Sequence, residues 1–264
     1  MSYNSQHIIL KTQDLSIGYK SKKKEAIVAS NINIELQKGE LIALVGANGI
    51  GKSTLLRTLT KVQPKLSGNI TINNTLLEEH NPIGLAKSLS LVLTEQVASK
   101  NLTVFELVAL GRQPYTNWVG NLTTNDNVIV NNAITQTNIQ ALKNKNCFEL
   151  SDGQLQKTMI ARALAQDTDL IILDEPTTHL DMYHKAYILK LLQKLVKETG
   201  KTILFSSHEI DLAIQLSDKM IVMTKDGVVS GSPRQHIAQG TFETLFPTDL
   251  IAFNKDTGSF RVKK

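Results

Sequence analysis

Two short stretches carry the residue types and spacing for phosphoryl chemistry. The first is GANGIGKS, from Gly46 to Ser53, which fits the pattern G-x-x-x-x-G-K-[ST] and directly follows the strand-like ELIALV. Its glycines, Gly46, Gly49 and Gly51, let the backbone through Ala47, Asn48 and Ile50 curl so that N–H groups face phosphate oxygens, and a helix starting at Lys52 adds its positive N-terminal end. Such a loop brings the Lys52 ammonium to the β- and γ-phosphates and lets the Ser53 hydroxyl ligate Mg²⁺. A Gly-rich turn of similar composition would have no need of the flanking strand and helix.

The second stretch is LIILDEP, residues 170–176. Four apolar residues of a buried strand are followed by Asp174, placed to hold Mg²⁺ through water, and by Glu175, placed to polarise an attacking water. Alone, a strand-terminal Asp-Glu pair is equally a solvated strand end; beside a phosphate loop it favours hydrolysis. A further apolar run, TILFSSH, ends in His208, and strands of such sheets deliver their C-terminal ends to the ligand crevice.

The elements that must position these residues alternate along the chain. Strand-like runs appear at 7–19, 26–36, 68–74, 89–93, 170–174, 202–206 and 219–224. Helical patterns lie between several of them, most clearly over 182–196, where Ile188, Leu191, Leu192 and Leu195 share one face. The alternation predicts an α/β fold with a mainly parallel core. The first strands have no helices between them and predict an attached antiparallel part. Residues 97–165 have little strand pattern but two helix starts marked by capping boxes, TVFE at Thr103 and SDGQ at Ser151, and predict a helical insert. The Asn-rich tract 121–146 keeps spaced aliphatics and reads as helix with loops. The tail, 241–264, reads as a short helix followed by a β-like strand.

Composition narrows the classes. The chain has 264 residues, 41% of them hydrophobic, enough for one large domain or two coupled subdomains. No run approaches the roughly 18 apolar residues of a membrane span. The N-terminus lacks a signal-peptide pattern and Cys147 has no second cysteine to pair with, so a cytoplasmic location is expected. The net charge of +5 comes partly from KSKKK (20–24), which suits nucleic acid or anionic lipid but reads more simply as a solvated loop.

GANGIGKST, LSDGQLQK, LIILDEPTTHLD and SSH, in this order and at these spacings, resemble the nucleotide-binding subunit of ATP-binding-cassette (ABC) transporters over about residues 14–231. The resemblance implies the ABC ATPase fold: a P-loop NTPase core with a mainly parallel sheet, an N-terminal antiparallel β part, a helical subdomain insert over about 97–165 and a C-terminal extension over about 232–264. It implies Mg²⁺-ATP bound by Gly46 to Thr54, with the Tyr19 ring stacking on adenine, and hydrolysis by Glu175 and His208. It also explains LSDGQLQK, which contains no catalytic group of its own. In this family two subunits pair head to tail, and Ser151, Gly153 and Gln154 of each complete the other's ATP site, while the loop ending at Asp181 touches the opposite subunit. Asp152 departs from the usual Gly; two unit charges about 4 Å apart repel by about 4 kcal/mol at an effective dielectric of 20, so its carboxylate is expected to point away from phosphate. The family's Gln ligand to Mg²⁺ maps to Gln96, with Thr94 and Glu95 as alternatives.

LTVFELVALGRQPYTNW (102–118) is similar to a pattern in importers of iron–siderophore complexes, heme and vitamin B12. Phe105, Tyr115 and Trp118 there could form a socket for a membrane subunit, although each alone reads as core of the insert. The resemblance implies two transmembrane permease subunits and a substrate-binding protein as partners, with the chain peripheral on the cytoplasmic face of the inner membrane and nucleic acid not expected. The competing readings are a soluble ABC ATPase acting on nucleic acid or ribosomes, which commonly carries two ATPase halves or a long coiled-coil insert, and a nucleotide-binding regulatory module without turnover.

Overall fold

The computed structural model describes residues 7–20, 24–93, 101–247 and 249–263. In chain order the elements are β1 (Ile8–Lys20), β2 (Glu25–Ile32), β3 (Glu35–Gln37), β4 (Leu41–Gly46), α1 (Lys52–Leu59), β5 (Ser67–Ile72), β6 (Thr75–Leu76), α2 (Pro82–Ser88) and β7 (Leu89–Val92). Then come α3 (Val104–Ala109), α4 (Thr124–Gln136), α5 (Asp152–Ala165), β8 (Leu170–Leu173), α6 (Met182–Thr199), β9 (Thr202–Ser206) and α7 (Ile210–Leu216). The chain finishes with β10 (Lys219–Thr224), β11 (Gly227–Gly231), α8 (Pro233–Gln239), β12 (Ile251–Asn254) and β13 (Ser259–Val262).

The central sheet runs β11-β10-β4-β9-β8-β7, parallel throughout except for the β10–β11 hairpin. Its inner strands read as unbroken apolar runs because both faces are covered, and every residue of β4, β8 and β9 is buried. The pleat divides these runs between two cores. Leu41, Ala43, Val45, Ile171, Leu173 and Phe205 face one, with α5 and α6; Ile42, Leu44, Ile172 and Leu204 face the other, with α1 and the N-terminal sheet. That second sheet is wholly antiparallel, ordered β2-β1-β5-β6 with β3 also on β1. Helix α6 buries Ile188, Leu191, Leu192 and Leu195, the face its periodicity marks.

The run 26–36 and the tail differ from the sequence reading, which also contains neither β6 nor β11. The run 26–36 forms two strands, because Asn31 takes a left-handed φ of 54° and the Asn33 side chain accepts from the Asp14 N–H at 2.9 Å, interrupting the ladder. The tail forms a 3₁₀ turn at Thr241–Thr244 and then the β12–β13 hairpin rather than one strand. Its fold is held by aromatic contacts: Phe253 lies 5.0 Å from both Phe260 and Phe242, and Phe246 meets Phe260 edge-on.

Helices α3, α4 and α5 pack on one another beside the central sheet. The capping boxes at Thr103 and Ser151 both form. A third, Thr123 with Asp126, starts α4 and was hidden by having Asp where the pattern expects Glu or Gln. Arg112 joins the three helices. It is buried, donates from Nε to Asp126 at 2.8 Å and from a terminal nitrogen to the Ala165 carbonyl at 2.9 Å, and its guanidinium sits 4.0 Å over the Tyr115 ring. Phe105 packs against the core of the insert, as expected; Trp118, at 97% exposure, does not.

Candidate active site

The C-terminal ends of β4, β8 and β9 converge, as parallel pairing requires, and the loops after them meet in one cleft of about 380 Å³. It is lined by Tyr19, Asn48, Gly49, Gly51, Lys52, Ser53, Thr54, Glu175 and His208. Gly46 ends β4, and Ala47 closes the turn by accepting from the Ile50 N–H at 3.3 Å. Gly51 is required on two counts: its φ is +113°, and a Cβ there would stand 2.3 Å from Val28 Cγ1. Lys52 then opens α1, as the motif predicts.

Lys52 lies buried across the loop, donating to the carbonyls of Gly46 at 3.0 Å and Ala47 at 3.3 Å. Burial pushes its ammonium pKa down, opposed by the charges of Glu175 and Asp174. Asp174, just past β8, is buried; its Oδ1 accepts from the hydroxyls of Ser53 at 3.1 Å and Ser206 at 2.7 Å, while its buried Oδ2 has no partner. Glu175 takes a left-handed φ of 50°, and its N–H donates to Ser206 Oγ at 2.8 Å. Its carboxylate is gripped on both oxygens: Oε1 lies 2.6 Å from His208 Nε2, and Oε2 accepts from Thr178 at 3.1 Å. The other ring nitrogen of His208 is 3.5 Å from Lys52 Nζ. Ser206 and Thr178 lie within the stretches SSH and TTHLD, but the motifs assign neither a role of its own.

Tyr19, at the end of β1, is 56% exposed at the rim, with its hydroxyl 3.1 Å from that of Thr54. Ser151, Gly153 and Gln154 do not line this cleft. They form the first turn of α5, where Ser151 accepts from the Gln154 N–H and Gln154 returns a bond to the Ser151 N–H. Asp152 is exposed in the same turn, where the helix N-terminus favours negative charge. Asp181 caps α6, accepting from the His184 N–H at 2.8 Å. Gln96, with Thr94 and Glu95, lies outside the described residues. No cluster of three or more His, Cys, Asp or Glu that could hold a metal ion occurs among the described residues, and no helix there is long and apolar enough to cross a membrane.

A strand-loop-helix phosphate cradle facing a buried Asp174 and a partly exposed Glu175, on a parallel sheet with a helical layer and an antiparallel sheet beside it, defines a P-loop nucleoside triphosphatase. Residues 29–178 match the family described as ABC transporter. The chain is 39% identical over 97% of its length to an uncharacterized ABC transporter ATP-binding protein of Methanocaldococcus jannaschii, covering 87% of that protein. It is 36% identical over 91% of its length to the iron(3+)-hydroxamate import ATP-binding protein FhuC of Bacillus subtilis, covering 88% of it. Among solved structures, an inward-facing ABC transporter of the metal-chelate type superposes with a TM-score of 0.78 at 26% identity, over 96% of this chain and 95% of that one. The chain belongs to the ABC transporter family, as an ATP-binding cassette with ATPase activity.

Proposed function

We propose that this chain is the motor subunit of an importer for iron–siderophore complexes, heme or vitamin B12, and that it acts as a head-to-tail pair on the cytoplasmic face of a membrane. Two permease subunits would supply the transport path, and a substrate-binding protein would deliver the cargo. The observation that carries the hydrolytic part is the Glu175 carboxylate, held by His208 and Thr178 at the edge of the phosphate cleft. The import class draws support from the Bacillus subtilis relative and from the run LTVFELVALGRQP.

In this reading the Tyr19 ring covers the adenine, and the loop N–H groups and Lys52 take the phosphates. Lys52 is bonded to its own loop's carbonyls and exchanges them for phosphate oxygens when ATP binds. The donor set fits Mg²⁺, a hard cation that prefers oxygen: the partnerless Oδ2 of Asp174 and the Ser53 hydroxyl are available, and the nucleotide completes the shell. Bound there, the ion would neutralise charge on the β- and γ-phosphates. Glu175 takes the proton of the attacking water, and His208 keeps the carboxylate in place. Ser151 and the Gly153 N–H of a second copy donate to the γ-phosphate from the start of α5. The inserts then move with closure and reopening of the pair, together with their permeases.

The test is to purify Glu175→Gln from gently solubilised membranes of its native cells with ATP present and to identify the associated chains. A many-helix permease is the expected partner. Ribosomal or DNA-bound proteins without a permease would transfer the reading to a soluble ATPase acting on nucleic acid or ribosomes.

A further inference from the structure

Outside the cleft, one imidazole ties together the two segments assigned above to the opposite subunit. His184, in the first turn of α6, points its Nδ1 at both carboxylate oxygens of Asp181, 2.9 Å from each, while its backbone N–H also donates to Oδ1. A carboxylate only accepts, so Nδ1 carries the proton. These bonds, the N–H and ring of His184 together, hold the Asp181 carboxyl below the usual carboxylate range. The Tyr183 ring meets the imidazole edge-on, with centroids 5.5 Å apart.

The opposite edge of the ring lies against α5. A Cβ on Gly153 would come within 3.2 Å of His184 Cδ2 and 3.8 Å of Leu180 Cδ2. Gly153 is buried at this point, in the first turn of α5. Cδ2 is bonded to Nε2, so that same edge carries the second ring nitrogen, for which the structure shows no hydrogen-bond partner among the described residues. The imidazole therefore spans from the Asp181 carboxylate to the glycine whose N–H is offered to the partner's nucleotide.

We propose that His184 is a positioning residue for hydrolysis in trans, fixing the loop that ends at Asp181 against the Ser151–Gln154 turn so that both present to the opposite subunit as one rigid unit. This rests on the head-to-tail arrangement proposed above. Two segments that must dock together lose less freedom at closure when they are already joined in each free subunit. The imidazole is the joint: Asp181 orients it, and the absence of a Cβ at Gly153 admits it.

The test uses the full-length chain. In the Glu175→Gln background, His184→Ala and the bulkier His184→Gln are compared for ATP-dependent dimerisation by sedimentation, and for binding of a fluorescent ATP analogue to the free subunit. Both substitutions are also made with Glu175 intact for kcat and KM. His184→Ala is expected to raise the ATP concentration for half-dimerisation at least tenfold and to lower kcat at least tenfold, with analogue binding and melting temperature unchanged; His184→Gln is expected to follow it in the same direction. A split of this kind cannot come from a general loss of structure, which would lower analogue binding in step. Should His184→Ala fail to fold, His184→Gln decides. Wild-type dimerisation and kcat in the folded variants, or loss of analogue binding parallel to dimerisation, would overturn the inference. If Glu175→Gln with His184 intact does not dimerise on ATP, the head-to-tail reading itself fails, which is a separate outcome.

Discussion

At the scale of residues, the site joins two buried charges, Lys52 and Asp174, to the more exposed Glu175 and His208. At Asp174 two hydroxyls satisfy Oδ1, and nothing satisfies Oδ2. A buried carboxylate oxygen without a donor costs free energy unless something binds it, which supports the proposal that Asp174 holds Mg²⁺. Asp174→Asn removes the charge with little change of volume. Its effect should be a loss of Mg²⁺ affinity of about 10–100-fold, measured as the Mg²⁺ concentration for half-maximal hydrolysis, with nucleotide binding in EDTA unchanged. Much of this scale was legible in the sequence, because Gly46–Ser53 and Asp174–Glu175 announce themselves by spacing. Ser206, Thr178 and His184 did not, since a hydroxyl or imidazole that bonds across loops leaves no periodic trace.

At the scale of elements, one buried ion pair adds to the apolar packing of the insert. The hydroxyl and N–H of Thr123, together with Arg112, hold the Asp126 carboxyl below its ordinary range, and the pair is buried where α4 and α5 meet. Asp126→Ala would leave the Arg112 charge buried without its partner, a loss of about 3–5 kcal/mol. Urea unfolding followed by far-ultraviolet circular dichroism checks this, with ATP binding by the remaining folded fraction preserved. The sequence marked two of the helix starts in this region by their capping boxes but missed the Thr123 cap. It also joined β2 to β3, because a break made by Asn31 and Asn33 lies inside an otherwise continuous apolar alternation. The hairpin of the tail was half legible: its strands are short, and its stability comes from phenylalanine contacts spread over 242–260, which no local pattern shows.

At the scale of the whole molecule, the alternation of two cores across the central sheet explains why unbroken apolar strands were a sound guide to the parallel order. His236 ties α8 to that sheet. Its ring is fully buried, Nε2 donates to the Met220 carbonyl at 3.1 Å, and burial pushes its pKa down. Below its unfolded pKa of about 6.5 the unfolded chain binds a proton that the folded chain refuses, so stability falls as pH drops through that value. The slope from this one group is at most about 1.4 kcal/mol per pH unit. His236→Leu is expected to flatten the dependence of urea-unfolding stability between about pH 7 and pH 5, whatever its effect on stability at neutral pH.

Glu175 is the proposed base for ATP hydrolysis in this cleft. The measurement that bears on it most directly is steady-state phosphate release from Mg²⁺-ATP by Glu175→Gln beside the wild type, at saturating nucleotide. Loss of the base should slow turnover by about 10²–10⁴-fold while ATP binding is kept. Turnover at the wild-type rate would contradict the account and remove Glu175 from the reaction.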